Sequence, residues 1–152
     1  MALAKKILNV MKACRKLSYD SNNEEVGYKY VSAAKVNAAV NKALVENGII
    51  CLASSRIVDT YAVKTTGGNE NFAAVDVELT LRDTDSEEEF KIRGSGSGID
   101  AGDKAVAKAQ TMAVKYAWKN TLLIADSSDD PDANKNTSAY SSNKIGSNDL
   151  PF

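Results

Sequence analysis

Residues 90–120 read FKIRGSGSGIDAGDKAVAKAQTMAVKYAWKN, and this stretch joins a strand-like run, a glycine cluster, an acidic turn and a lysine-rich helix. A phosphate-binding loop needs Gly, four residues and then Gly-Lys-Ser/Thr, and residues 102–105 (GDKA) do not keep that order. Residues 96–101 match the dinucleotide-binding pattern loosely, but no second parallel strand follows the helix. The cluster is therefore interpreted either as a flexible link from strand to helix or as exposed N–H groups that attract phosphate.

Two carboxylates, Asp100 and Asp103, stand where the helix would begin. They would cap its free N–H groups themselves, which disfavours a bare anion site at this point. They could instead hold Mg²⁺, but two carboxylates without further ligands are weak support for a metal site. The sequence contains no histidine, which removes the commonest acid–base group and the commonest metal ligand. We therefore predict a protein that is not an enzyme and needs no cofactor.

The helix of this stretch carries a stripe of lysines. At 100° per residue the four side chains fall within about 60° of arc, and the stripe is roughly 22 Å long. They are Lys104, Lys108, Lys115 and Lys119. Small side chains of the opposite face are predicted to pack on a sheet, namely Ala105, Val106, Ala109, Ala113 and Ala117. Trp118 lies at the edge of the stripe, so a nucleic-acid backbone could follow the ammonium groups while a base stacks on the indole ring. An ordinary solvated helix face is the alternative.

The rest of the chain alternates between helical and extended patterns. Apolar side chains recur at helical spacing over residues 2–19 and again between Ser32, a good N-cap, and Gly48, a natural stop. Extended patterns separated by turn signals cover residues 49–65, 72–83 and 89–94. The core face of the last two is predicted to carry Val75, Val77, Leu79, Leu81, Phe90 and Ile92. We predict an α+β fold in which an antiparallel three-stranded β-meander packs against helices.

Charge is unevenly distributed along the 152 residues, although the formal net charge is only −1. Residues 1–125 contain 17 of the 19 Lys and Arg and 15 of the 20 Asp and Glu, whereas residues 126–152 contain 2 basic and 5 acidic residues. The second segment consists mainly of Ser, Asn and Asp, a composition typical of disorder. We predict a folded domain at 1–125 and a disordered acidic tail at 126–152.

The compartment is predicted from cysteines and hydropathy. Cys14 and Cys51 lie in apolar segments and are predicted to be free thiols of an intracellular protein. No apolar run reaches the ~18 residues that a membrane helix needs, and the charged N-terminal segment is unlike a signal peptide. We expect a cytoplasmic protein without a membrane partner.

Three segments together resemble the Erf (essential recombination function) family of phage single-strand annealing proteins. They are YKYVSAAKVNAAVNKALVENGI at 28–49, GSGSGIDAGDKAVAKAQTMAVKYAWKNTLLI at 94–124 and DDPD at 129–132. The resemblance extends over about residues 1–132. It implies a β-β-β-α annealing-ring core, homo-oligomeric rings or filaments, and ATP-independent binding of single-stranded DNA. The implied activity is the annealing of complementary strands in phage recombination and repair, in the host cytoplasm.

By this resemblance, basic groups on the strands and the closing helix would line a DNA groove. We nominate the four stripe lysines together with three cations of the sheet, Arg56, Lys91 and Arg93. Tyr28, Tyr30 and Trp118 are candidates for base stacking, although a tyrosine in a short strand is more often a core residue. Because residues 1–125 are only slightly basic, binding would depend on a local stripe and on many subunits acting together.

The chain ends in SNDLPF, which is similar to the Asp-Ile-Pro-Phe end of bacterial single-stranded-DNA-binding proteins. A terminal phenylalanine with its own carboxylate can fill an apolar pocket with a basic rim. Asp149, Leu150, Pro151 and Phe152 are therefore predicted to dock on host replication or repair proteins, with an uncommitted terminus as the alternative. Two other functions stay open: a single-stranded-DNA-binding protein that protects strands and recruits partners through this tip, and an interaction protein without a DNA function.

Overall fold

The computed structural model describes residues 2–25 and 27–127. In chain order its elements are α1 (Ala2–Ala13), β1 (Lys16–Ser18), β2 (Ser21–Asn23), β3 (Tyr28–Tyr30), α2 (Ala33–Glu46), β4 (Ile49–Thr65), β5 (Gly68–Asp83), β6 (Glu89–Asp100), α3 (Ala105–Leu122) and β7 (Ala125–Ser127). The predicted α+β class and antiparallel meander are confirmed, since β4, β5 and β6 pair antiparallel in that order. The strands β2 and β3 form a hairpin, and β1 pairs in parallel with β7.

The predicted tail, residues 126–152, begins inside β7 and from residue 128 onwards lies outside the described residues. The docking motif Asp149–Phe152 lies there too and stays a prediction. None of the helices in the described part of the chain has the length and apolar character required to cross a membrane.

The central strand β5 shows why the meander forms a core on one face only. Its alternate residues Val75, Val77, Leu79 and Leu81 are at most 4% exposed, as their spacing predicts. On β6, Ile92 is buried as well, but the prediction that Phe90 is a core residue is wrong, because half of its surface is exposed. It lies at the C-terminal end of α3, in an open apolar groove beside Thr121 and α1.

The glycine cluster is part of a strand. β6 continues through it to Asp100, in register with β5, so the interpretation as a flexible link or a phosphate loop is wrong. A Cβ atom on Gly94 or Gly96 would lie 2.4 Å from backbone atoms of Ala113, and one on Gly98 would lie 2.8 Å from the carbonyl oxygen of Ala105. The glycines therefore allow the backbone of α3 to rest directly on β6, and the alanine face predicted for this helix is buried there.

The helices begin largely where the sequence predicts, but one ends earlier. The hydroxyl of Ser32 accepts the N–H of Lys35 as the N-cap of α2, and Gly48 follows the helix with a φ of 64°. By contrast, α1 ends at Ala13 rather than near residue 19. Residues Lys16–Ser18 instead pair with β7, a contact between distant parts of the chain that helical periodicity cannot reveal.

Candidate nucleic-acid interface

An open groove with a volume of about 690 Å³ lies between the β2–β3 hairpin and α3. It brings together four residues that the sequence nominated for DNA binding, namely Tyr28, Tyr30, Lys115 and Lys119. Tyr19, Lys29, Met112, Tyr116 and Asp126 complete most of the remaining lining. The combination of tyrosine rings and ammonium groups along one groove is typical of surfaces that bind single-stranded nucleic acid.

The hairpin wall of the groove is held in place at the start of α2. The backbone N–H and the hydroxyl of Ser32 donate to the two carboxylate oxygens of Asp20, at 2.7 and 2.5 Å. These hydrogen bonds stabilise the charged carboxylate and lower the pKa of Asp20. Lys35 adds a hydrogen bond from its Nζ to the carbonyl oxygen of Ser18, at 2.7 Å. The groove wall is thus attached to a helix terminus rather than to a free loop.

Aromatic rings are accessible on both walls. Tyr28 on the hairpin is 53% exposed and Tyr116 on α3 is 40% exposed. The rings of Tyr28 and Tyr30 lie 5.9 Å apart between centroids and are tilted by 54°. Because an exposed aromatic face stacks on any nucleobase, these rings offer binding that does not depend on base identity.

Lys115 is buried, at 6% exposure, and its ammonium group faces the groove between two tyrosines. Its Nζ lies 5.1 Å from the ring centroid of Tyr30 and 6.0 Å from that of Tyr116. Within residues 2–25 and 27–127 it forms no ion pair with a carboxylate. Burial lowers the pKa of Lys115, and the charge of Lys119 lowers it further. Asp126 and Asp20 attract the ammonium group from farther away and raise its pKa in part. A buried cation without a carboxylate at ion-pair distance among the described residues would be stabilised by an incoming phosphate oxygen.

Lys119 has a partner of its own. Its Nζ lies 2.5 Å from Oδ2 of Asp126, on β7. The other carboxylate oxygen of Asp126 is buried and has no hydrogen-bond donor among the described residues. The cationic character of the groove therefore comes chiefly from Lys29 and Lys115.

The predicted continuous lysine ridge on α3 is wrong. Lys104 is exposed, but Lys108 contacts Oδ1 of Asp100 at 2.6 Å, and Lys115 and Lys119 belong to the groove. The physical reason is that the second half of α3 is covered on two sides, by the sheet and by the N-terminal elements. The same covering buries Trp118 to 4% exposure, so its predicted role in base stacking is wrong as well.

Asp100 stabilises the turn before α3 but does not cap the helix as the sequence predicts, because the N-cap is Lys104 and no side chain of the described residues accepts the first free N–H groups of α3. Its Oδ2 accepts the N–H groups of Gly102 and Lys104 at 2.9 and 3.2 Å. The contact with Lys108 and these hydrogen bonds lower the pKa of Asp100 to about 2. In the part of the chain that the structure describes, no group of three or more Cys, Asp and Glu side chains is placed to hold a metal ion.

The three nominated cations of the sheet lie on the face opposite α3. Arg56 contacts Asp76 at 3.4 Å, while Arg93 and Lys91 contact Glu78 at 3.1 and 3.3 Å. A hydrogen bond from Ser95 and the contact with Arg56 lower the pKa of Asp76, and Lys91 and Arg93 lower that of Glu78. These cations therefore cannot join Lys115 in one groove of a single subunit, and their charge is balanced by neighbouring carboxylates.

Sequence reasoning missed Lys29, Tyr116 and Tyr19 as groove residues. The available signal was the pair of short extended segments around the NNEEVG turn, which indicates a hairpin and would have placed Tyr28 and Lys29 on a protruding element. No local pattern indicates that this hairpin faces α3.

Comparison with known proteins gives one finding. The family model described as ERF superfamily matches residues 3–150. Comparisons with the curated proteins and with the solved structures gave no match.

Proposed function

Because this chain belongs to the ERF superfamily, we propose that it binds single-stranded DNA and anneals complementary strands in phage recombination, without ATP. The observation that carries the proposal for the site is the groove between the hairpin and α3. There the ammonium group of the buried Lys115, which forms no ion pair within residues 2–25 and 27–127, shares one surface with two exposed tyrosine rings.

The groove can hold a strand by its backbone and by its bases at the same time. Lys115 and Lys29 would neutralise phosphates, which releases counterions and makes binding salt-dependent. Tyr28 and Tyr116 would stack on bases through their exposed faces, without engaging the Watson–Crick edges. A strand held in this way keeps those edges free to pair with a complementary strand. No covalent step is required, so the protein acts as a strand organiser and not as an enzyme.

Annealing would depend on many copies acting together. One groove contacts only a short length of DNA, and the formal net charge of the chain is −1. A homo-oligomeric ring or filament would align successive grooves and raise the effective concentration of each contact.

The experiment is strand annealing of complementary oligonucleotides with and without the protein. We expect the wild type to accelerate annealing and Lys115→Met to lose this acceleration. The plot of log affinity against log salt concentration should be shallower for the variant by about 0.7. The matched control is Lys42→Met, which removes the same charge from an exposed position on α2 outside the groove. Annealing that stays at background at every salt concentration would refute the proposed function. Equal effects of the two variants would refute the site alone.

Two alternatives are distinguished by related measurements. A single-stranded-DNA-binding protein would bind oligonucleotides but hinder annealing. Such proteins use a five-stranded barrel, whereas the largest sheet in the described residues has three strands. For the segment Asp149–Phe152, which lies outside the described residues, docking on host replication or repair proteins stays a prediction. Deleting residues 149–152 should abolish partner binding and preserve DNA binding. A full-length chain that ignores DNA would favour a docking function alone.

A further inference from the structure

The position of α3 on the meander leaves part of the helix without a strand beneath it. Hypothetical Cβ atoms on Gly94, Gly96 and Gly98 would all lie within 2.4–2.9 Å of α3 atoms, so the helix lies directly over β6. That strand is an edge of the sheet. A helix about 10 Å in diameter, centred on an edge strand, extends past the edge by about the width of one further strand.

At the opposite edge of the sheet, the inner face of β4 at residues 53–57 has no helix covering it in the described part of the chain. β4 lies two strands from β6, about 9–10 Å from the strand that carries α3. Ile57 shares the inner face with the buried Val75, its direct partner, yet it is 54% exposed. Ala53 and Ser55 on the same face are exposed too, and α3 reaches Ser55 through the long side chain of Gln110. The inner face of β4 could therefore pack against a helix, but α3 of the same chain lies too far away to cover it.

An apolar row on the outer face crosses the sheet from one edge to the other. Tyr61 on β4 and Ile99 on β6 both pair with Phe72 on β5, and they are 51% and 47% exposed. The rings of Tyr61 and Phe72 stack with centroids 4.6 Å apart. Since the row ends at both edges at the same height, a second sheet placed alongside would continue it, with Ile99 of one copy next to Tyr61 of the following copy.

We propose that copies of this chain associate side by side through these two edges, β4 of one copy against β6 of the next. This inference rests on the proposed function, which requires assembly, and it identifies the contact surface as the two edge strands. Both edge strands run antiparallel to β5, so copies in the same orientation would pair in parallel. The partner is a second copy because the two edges are complementary. The β4 strand of one copy fills the space beneath the overhanging α3 of the next, and that α3 covers Ile57 of the first copy. Such a contact is heterologous and generates rings or filaments.

Thiol cross-linking tests the pairing directly. In a Cys51→Ser background, the double variant Tyr61→Cys and Ile99→Cys should give, on oxidation, a ladder of covalent oligomers in steps of 16.3 kDa. The two positions lie two strands apart within one chain, too far for an internal disulfide. The control pairs Tyr61→Cys with Lys91→Cys, which places the second thiol about 26 Å away along β6. No ladder, or equal ladders in both variants, would overturn the proposal.

Sedimentation provides a second measurement that does not depend on thiols. Ile57→Lys should shift the assembled wild type to monomer, while Val45→Lys, which adds the same charge at a 69% exposed position on α2, should leave assembly unchanged. A wild type that is monomeric at all concentrations would overturn the interface. An assembled wild type that gives the ladder but neither binds nor anneals DNA would refute the proposed function and leave the interface standing.

Discussion

Replacing Gly96 by alanine should destabilise the protein, although alanine is the better residue for an ordinary strand. The backbone of Gly96 does not have a positive φ, so alanine meets no conformational penalty there and would by propensity stabilise the strand by about 0.5–1 kcal/mol. The added Cβ, however, would lie 2.4 Å from the nitrogen of Ala113 and 2.6 Å from the carbonyl oxygen of Ala109. Both contacts are with helix backbone, so no side-chain rotation can relieve them.

The magnitude follows from the distance that α3 must move. An ordinary contact requires about 3.4 Å, so the helix has to retreat by about 1 Å, and a gap of that size forfeits a quarter to a half of the packing energy. Four alanine methyl groups of α3 are buried on the sheet, each contributing about 0.8 kcal/mol. Their partial loss is about 1–1.5 kcal/mol, and the strain of overpacking adds about 1–3 kcal/mol. After the propensity gain of about 0.5–1 kcal/mol is subtracted, we expect the free energy of unfolding to fall by about 2.5 kcal/mol.

Urea unfolding followed by the fluorescence of Trp118 measures this directly, since Trp118 is the single tryptophan and is buried beside the contact. The control is Gly67→Ala in the β4–β5 turn, where the nearest atom would be 3.9 Å away and the change should stay within about 0.5 kcal/mol. Both variants should be compared at one protein concentration, because the proposed assembly would contribute to stability. A loss below about 1 kcal/mol for Gly96→Ala would refute the direct contact between α3 and β6.

Three further predictions concern the groove and the helix start. Lys115→Met should raise the free energy of unfolding by about 1 kcal/mol at neutral pH, because it removes a buried charge that has no ion-pair partner in the described part of the chain, while it weakens oligonucleotide binding. Burial lowers the pKa of Lys115 in the folded state, so the unfolded chain holds the proton more tightly and the stability of the wild type rises with pH. In thermal melts the difference in stability between the wild type and the variant should therefore shrink towards pH 10.5. A variant less stable than the wild type would contradict this reasoning. Tyr28→Ala should weaken oligonucleotide binding by about 1–3 kcal/mol in a fluorescence titration and Tyr28→Phe should restore it, whereas equal losses would exclude stacking. Asp100→Asn should lower stability at neutral pH. Because the folded-state pKa of Asp100 is lowered to about 2, the difference should vanish as pH falls from 3.8 through 2, and a pH-independent difference in acid melts would contradict the role of the charged carboxylate in this turn.

The secondary structure of the meander could be predicted because it depends on alternation. Val75 to Leu81 face the core simply because every second side chain of a strand points the same way. Local chemistry was equally sufficient for Ser32, whose hydroxyl caps α2, and for the alanine face of α3. The structural role of the glycine cluster was harder to predict, because it depends on which element packs against the cluster. Gly96 permits both a flexible link and close packing, and only the position of α3 selects the second.

The candidate site could be predicted only in part. The lysines of α3 were recognised by spacing, but spacing treats a helix as having one buried face, and α3 has two over its second half. Lys115 is consequently a groove residue rather than a member of an exposed ridge, and Trp118 is a core residue. Arg56, Lys91 and Arg93 were predicted to line one groove with the closing helix, but they lie on the face of the sheet away from α3, which a list of cations cannot reveal.

The amino-acid sequence by itself determined the antiparallel meander, the cap of α2 and the alanine face of α3, since these follow from periodicity and from interactions among neighbours. Only the tertiary structure decided that the hairpin of Tyr28 and Tyr30 faces Lys115, and that one edge of the sheet carries a helix while the other has none. The physical reason is that the first feature joins segments more than 80 residues apart, and the second depends on which strand of the sheet the helix rests on. The free energy of these contacts depends on burial and desolvation in the complete fold, so no periodic pattern in the sequence predicts them.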